Sequence, residues 1–260
     1  MLKQINNIFS NRISTPEGSY KPFGVLLPLI YIDNELHVLF EVRSHKLNTQ
    51  PGEICFPGGG IELNETYLEG ALRETHEELD IPRDDIEHIG DLDYIVTPFN
   101  LILYPYVGIL KNIEFKDIKY STDEVESIFT IPLQKVLDGK FEKYNYDTVI
   151  NTEGNFPFDK IPDGKDYNFR SGKYPVYFFY HEDKVVWGMT ARILNNFAEI
   201  YNAHLKWKNK ANLWYIYHKL SLNSQVNWHL LGCVSKYEYS IIQEVFNIVI
   251  PQYLYVKHKR

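Results

Sequence analysis

The sequence predicts an α/β fold, and three observations carry that reading. Two apolar runs, Gly24 to Ile32 and Leu36 to Arg43, lie on either side of Asp33-Asn34-Glu35 as the strands of a hairpin lie about its turn. An amphipathic helix follows a glycine turn (Gly58, Gly59, Gly60): Leu68, Ala71, Leu72, Thr75 and Leu79 recur at three- and four-residue spacing and share one face. Further strand-like runs come next, and then a second helical pattern through Ile193, Leu194, Phe197 and Ile200.

Composition sets the frame for these elements. The chain has 260 residues, 44% hydrophobic and 23% charged, which is enough for one sizeable domain and an appendage. A formal net charge of −7 argues against a protein that coats nucleic acid. The two cysteines, Cys55 and Cys233, form no disulfide framework, and no Cys/His spacing resembles a zinc site. A reduced, cytoplasmic setting is the simplest expectation. Met1 to Arg12 lacks the apolar run of a signal peptide, and no stretch approaches a membrane-spanning length, so no membrane association is expected.

Taken in order, residues 2 to 11 show helical spacing at Ile5, Ile8 and Phe9 and are expected to form a short packing helix. Ser14 to Lys21 reads as a linker. The hairpin leads into a loop, Arg43 to Glu53, whose Arg43, His45 and Lys46 could meet an anion through charge-assisted hydrogen bonds. Cys55 reads as a buried small apolar residue. After the helix, Ile86 to Thr97 is a strand and Pro98-Phe99-Asn100 a turn. Leu101 to Leu110 is a further strand, in which Pro105 suggests an edge or a bulge. Ser127 to Ile131 is a strand, and Pro132 to Leu137 a helix that stops at Asp138-Gly139. Residues 139 to 173 read as a long loop whose Phe156-Pro157-Phe158, Tyr167-Asn168-Phe169-Arg170 and Gly172-Lys173 offer rings and charges to a nucleotide. Tyr174 to Tyr180 and Lys184 to Val186 are strands about His181-Glu182-Asp183, and Trp187 to Arg192 leads into the last helix of the domain. Residues 204 to 260 hold three of the four tryptophans and eight Lys or Arg against Glu238 and Glu244. They are expected to be a helical extension that packs on the domain or mediates a homodimer, with a helix over Ile241 to Val249. Their aromatic and apolar content argues against a nucleic-acid arm. The expected division is 1–19 N-terminal helix and linker, 20–203 main domain and 204–260 extension.

The chemistry is concentrated in the first helix of the domain. Glu74, Glu77 and Glu78 sit at i, i+3 and i+4 and share a face, with Arg73 four residues from both Glu69 and Glu77. An acidic helix face is ordinarily solvated. Three carboxylates within one turn nevertheless repel one another, and their all-oxygen donor set suits Mg²⁺ or Mn²⁺ rather than zinc. The stretch Gly59 to Ile81 resembles the Nudix box: G, five residues, E, seven residues, R-E, an apolar residue, any residue, E-E, any residue, G and an apolar residue. Gly59, Glu65, Arg73, Glu74, Glu77, Glu78 and Ile81 match at the right spacing. Thr75 stands where an apolar residue is usual and Asp80 where Gly is usual; Asp tolerates the left-handed conformation better than most residues. The stretch before it, with Arg43, Ser44, Gly52, Phe56, Pro57, Gly58 and Gly59, resembles the coenzyme A pyrophosphatase branch of that family. Asn48 occupies the place of a basic residue there, with Lys46 two residues earlier. Tyr94 to Leu110 and the run Trp187-Gly188-Met189-Thr190-Ala191-Arg192 are similar to the same branch, the latter in an expected structural role. The likeness covers about residues 20 to 203.

That resemblance implies a Nudix-type α/β/α sandwich with a mixed sheet, and metal-dependent hydrolysis of the diphosphate of coenzyme A or its derivatives. Glu74, Glu77 and Glu78 would hold Mg²⁺ or Mn²⁺, with Gly59 offering a carbonyl, and Arg73 would orient the glutamates. Glu65 would support the loop or the start of the helix rather than bind metal. Glu124, outside the box, is a candidate ligand or base; Glu78 and the metal site itself are the alternatives for the base. Arg43, Lys46, Phe56 and Gly58 would contact substrate. Other nucleoside diphosphate derivatives, such as ADP-ribose or a dinucleotide, are the alternative substrates. A Nudix domain that binds a nucleotide without cleaving it is the alternative class.

Overall fold

The computed structural model describes residues 1–152 and 154–221, and the expected helix over Ile241 to Val249 lies outside them. The chain divides into two units, Met1–His204 and Leu205–Arg260. The described part of the second is helical through Ser221.

Helix α1 (Leu2–Phe9) has no buried residue, so the packing role expected of it is not seen: Leu2, Ile5, Ile8 and Phe9 are all exposed. Strands β1 (Lys21–Ile32) and β2 (Glu35–Arg43) form the expected hairpin, with Ile32 opposite Glu35. Its two-residue turn, Asp33-Asn34, has positive φ at both positions (49° and 67°), the backbone twist that tight hairpins require. Short strands β3 (Ile54–Cys55) and β4 (Gly58–Gly60) pair antiparallel with β2 and β1. Helix α2 (Tyr67–Leu79) follows.

The run after α2 is two strands rather than one: β5 (Ile86–Asp91) and β6 (Ile95–Val96) both pair with β7 (Leu101–Leu110). Strand β7 also runs parallel to β1, so it is interior, and Pro105 marks neither an edge nor a bulge of its own strand. Pro105 instead falls opposite the break between β5 and β6, where Leu92 N–H donates to its carbonyl at 2.9 Å. A residue with no N–H to give is accommodated where the ladder is interrupted. Strand β8 (Val125–Pro132) pairs with β2, and α3 (Leu133–Leu137) closes that excursion. The segment expected to be a long loop contains a strand, β9 (Glu142–Thr148). It pairs with β10 (Gly172–His181), which pairs with β11 (Lys184–Trp187) in a separate three-stranded antiparallel sheet. All of β9 is exposed, which is why no apolar alternation betrayed it. Helix α4 begins at Gly188 and runs to Ser221.

The mixed eight-stranded sheet carries an apolar layer on each face. Val25, Leu27, Val38 and Phe40 join Phe179, Val186, Ile193 and Leu194 from the small sheet and α4. Leu26, Ile30 and Leu39 join Ala71, Leu79 and Ile81 from α2 and its exit. The period-two alternation of a strand thus sends neighbours to opposite layers. Helix α2 lies unusually close to β1, because a Cβ on Gly24 would meet the Tyr67 carbonyl and the Ala71 N–H. That contact sets the height of the glutamate face above the sheet.

Candidate active site

Helix α2 begins at a capping box. Thr66 Oγ1 accepts from Glu69 N–H (3.2 Å), and Glu69 Oε2 accepts from Thr66 N–H (2.7 Å). Glu69 is thereby occupied, and the acid on the far side of Arg73 is Glu65, not Glu69. The helix ends at Asp80, at φ 52° in the left-handed region, as its place in the sequence motif requires. Thr75 is buried, and its hydroxyl is satisfied by the Ala71 carbonyl at 2.7 Å.

Arg73 organises the site, and its five hydrogen bonds match its five N–H donors. Nε and Nη2 grip Glu65 at 3.2 and 2.9 Å, and Nη2 also donates to Gly60 O at 2.8 Å. Nη1 donates to Glu74 Oε1 at 2.9 Å and Glu77 Oε2 at 3.0 Å. Glu65 also accepts from Glu62 N–H (2.6 Å), which fits the loop-supporting role expected of it. A Cβ on Gly59 would overlap the Glu74 carboxylate, so only glycine lets that side chain lie over the loop backbone. Gly58 N–H donates to Glu78 Oε2 at 2.9 Å.

The carboxylates are under electrostatic tension. Burial pushes the Glu78 carboxyl up to about 8; Glu74 and Glu124 add to that, against the Gly58 N–H and Arg43. Glu74 is also raised, by burial first, even though Arg73 opposes the shift. Beneath them lies a residue that the sequence reading missed. Glu41, on β2, is 1% exposed, and its Oε1 has no hydrogen-bond partner. Its carboxyl is raised well above the usual range by burial, then by Glu78. Its other oxygen faces the half-buried Cys55 thiol at 3.9 Å, and burial beside Glu41 raises that thiol in turn. The signal was a lone acid inside Val38-Leu39-Phe40-Glu41-Val42, on the same strand face as Leu39.

A cleft of about 580 Å³ opens beside this cluster. Gly58 borders it, joined there by Arg43, Phe56 and Val25. Phe99, Tyr146, Tyr174 and Trp187 wall it with rings, and Arg192 of α4 contributes a second guanidinium.

These features agree with what the comparisons with known proteins find. The NUDIX domain family matches residues 25–150. The uncharacterized Nudix hydrolase NudL of Enterobacter sp. (strain 638) is 32% identical over 67% of this chain and 80% of its own length. The chain belongs to the Nudix hydrolase family. Two further relatives are described as peroxisomal coenzyme A diphosphatases. One, from Caenorhabditis elegans, is 38% identical over 58% of this chain and 65% of its own length. The other, from Mus musculus, is 35% identical over 46% of this chain and 50% of its own length.

Within this Nudix domain, the structure gathers most of the residues singled out from sequence. Arg73, Glu74, Glu77 and Glu78 form one network with Gly58 to Gly60. Glu124, exposed just before β8, is close enough to raise Glu41, Glu74 and Glu78. Arg43, Phe56 and Gly58 line the cleft, but Lys46 does not. Lys46 is exposed and paired with Asp123 at 2.9 Å. The rings of the loop after β9 pack on one another, Phe156 with Phe158 and Phe169 with Tyr167, rather than on the cleft. Among the described residues no helix is long and apolar enough to cross a membrane.

Among the described residues no three acidic, histidine or cysteine side chains converge on one point as placed, because Arg73 tethers Glu74 and Glu77 while Gly58 tethers Glu78. The donor set still fits a hard divalent cation. It is all oxygen, it includes the buried Glu78 and a part-buried Glu74, both raised by burial and by neighbouring carboxylates, and it lies beside an orphaned buried carboxyl oxygen on Glu41. This arrangement fixes a pH dependence. Because the folded-state pKa of Glu78 lies above its unfolded value, its protonation stabilises the fold fully below about 4.5, and that contribution is lost as pH rises through about 8. In EDTA the melting temperature is therefore expected to fall between about pH 5 and about pH 8. The stabilisation gained from Mg²⁺ or Mn²⁺ is expected to grow over the same range, since the cation displaces the proton. Thermal melts with and without metal check this; a metal increment that does not change with pH would contradict it.

Proposed function

We propose that this Nudix hydrolase cleaves the diphosphate of coenzyme A or a CoA derivative, giving 3′,5′-ADP and 4′-phosphopantetheine. The cleft carries the reading: about 580 Å³, ring-walled, beginning at Gly58 beside the carboxylate network. That is the size and character of a site for a nucleotide-sized ligand. The names of the two diphosphatase relatives support the substrate.

Water adds across the P–O–P linkage. Its oxygen bonds to one phosphorus, and the bridging oxygen departs on the other product. Glu74, Glu77 and Glu78, with the Gly59 carbonyl, would hold Mg²⁺ or Mn²⁺. When bound, such a cation supplies neutralisation of the diphosphate and a lowered pKa for water. Arg73 keeps Glu74 and Glu77 aimed, a positioning role. Glu78 or Glu124 takes the proton. Arg43 meets the diphosphate by charge-assisted hydrogen bonds. The test is chromatographic: CoA with Mg²⁺ should give the two products in equal amounts, and EDTA should stop their release. CoA left intact in metal by a folded protein would overturn the reading.

The two cations of the loop before the box have separate fates. Arg43→Ala is expected to lower kcat/KM for CoA by about 30-fold or more, the cost of one lost charge-assisted contact. Lys46→Ala, which removes an exposed ion pair, should change it less than about threefold. Equal losses in the two variants would contradict this division. The place of Lys46 also favours a second reading, ADP-ribose or a dinucleotide as substrate, because it leaves the loop before the box with no cation on the cleft besides Arg43, which meets the diphosphate that all these substrates share.

A further inference from the structure

The run Trp187 to Arg192 is more than packing. Thr190 Oγ1 donates to the Ile54 carbonyl at 3.0 Å, and Ala191 and Ile193 are buried, which is the structural part. Arg192 turns the other way. Its guanidinium lies 5.4 Å from the centre of the Tyr174 ring, against which Phe99 also packs, and it lines the cleft. Its Nη1 is buried and has no hydrogen-bond partner. A guanidinium N–H withdrawn from water and left unpaired is costly, and such groups are rare enough that each calls for an explanation. The cleft therefore carries two guanidiniums on different elements, Arg43 on β2 and Arg192 on α4. Arg43 is the one electrostatically joined to Glu41 and Glu78, and so belongs to the end where the diphosphate is cleaved. No residue of α2 lines the cleft, so Arg192 stands with the aromatic walls rather than with the glutamate face.

We infer that Arg192 is a specificity-determining residue that binds a second anion of the substrate, a phosphomonoester on the nucleotide whose base lies among the Tyr174, Phe99 and Trp187 rings. The inference rests on the cleft being a nucleotide site. It adds the point of discrimination: a ribose phosphate distinguishes CoA from ADP-ribose, NADH and dephospho-CoA, all of which share the diphosphate. An arginine that lines the cleft beside a ring, with one N–H unpaired, is suited to a phosphate dianion, which a guanidinium can engage through paired N–H bonds.

The test measures binding, so that it does not depend on turnover. Calorimetric titration with 3′,5′-ADP and with 5′-AMP should show wild type binding the former about tenfold or more tightly. Arg192→Gln should bind the two alike, and Arg192→Lys should keep part of the preference. Because Nη1 has no hydrogen-bond partner to lose, Arg192→Gln should stay folded and melt cooperatively. A preference for 3′,5′-ADP that survives in Arg192→Gln, or its absence in wild type, overturns the inference. CoA turnover read in parallel separates the two claims. Cleavage without this preference leaves the reaction standing and removes the role of Arg192. A preference that depends on Arg192, without cleavage, does the reverse.

Discussion

Glu77→Gln and Glu78→Gln should each lose about 10³-fold or more in kcat while remaining folded. Hydrogen-bonding capacity is retained in both. Glu77 is 51% exposed at its side chain and held only by Arg73, from which a glutamine carbonyl can still accept. Glu78 is buried and accepts from Gly58 N–H, which a glutamine carbonyl can also do. What the substitutions remove is charge, and a divalent cation binds carboxylate far better than amide oxygen. The loss of about 4 kcal/mol of transition-state stabilisation corresponds to that rate effect. Glu78→Gln should in addition raise the melting temperature of the metal-free protein at about pH 8, because it removes a carboxyl whose ionisation the fold resists. Turnover and melts measure the two effects independently. Normal turnover in both variants would overturn the metal assignment.

Arg73→Met should have the largest effect on stability, about 3 kcal/mol or more, read as a lowered urea midpoint. Five hydrogen bonds end on one side chain that is 12% exposed. Removing it leaves the Glu65 and Glu74 carboxylates, themselves 14% and 19% exposed, without the cation that pairs with both. The Glu77 arm of the network, half exposed, contributes little to that loss. Activity should fall as well, because Glu74 and Glu77 lose their common anchor. Arg73→Lys should recover only part of either effect: an ammonium has three donors and cannot grip Glu65 with two parallel bonds. A lysine variant indistinguishable from wild type in both readouts would contradict the positioning role.

The parts of this molecule that were legible in the sequence are those where short-range rules decide. The Asp33-Asn34 hairpin and the α2 stripe follow from local geometry, the left-handed Asp80 from its place in the box where Gly is usual, and the structure shows all three. The box fixed which glutamates share a face, but not which acid completes the Arg73 network. Spacing put Glu69 four residues from Arg73, but the capping demand of Thr66 N–H engages Glu69 and the folded loop brings Glu65 to Arg73 instead. Strand β9 was hidden because its stability comes from pairing with β10 rather than from an apolar face. Glu41 and Arg192 depend on tertiary contacts: one is buried under α2, the other aimed into a cleft bordered by both sheets. For Glu41, an acid interrupting a buried strand was the available clue. For Arg192 the clue was its place in the Trp187 to Arg192 run, which was expected to have a structural role, since an arginine on an amphipathic helix is ordinarily a solvated one.

The central claim is most directly tested by kcat/KM for CoA, ADP-ribose, NADH and dATP, measured in parallel with Mg²⁺, Mn²⁺ and EDTA and with products identified. Metal-dependent release of 3′,5′-ADP from CoA, with the highest kcat/KM of the four, is the predicted result. A higher value for any of the other three, or no turnover of any of them by a protein that melts cooperatively, would contradict it.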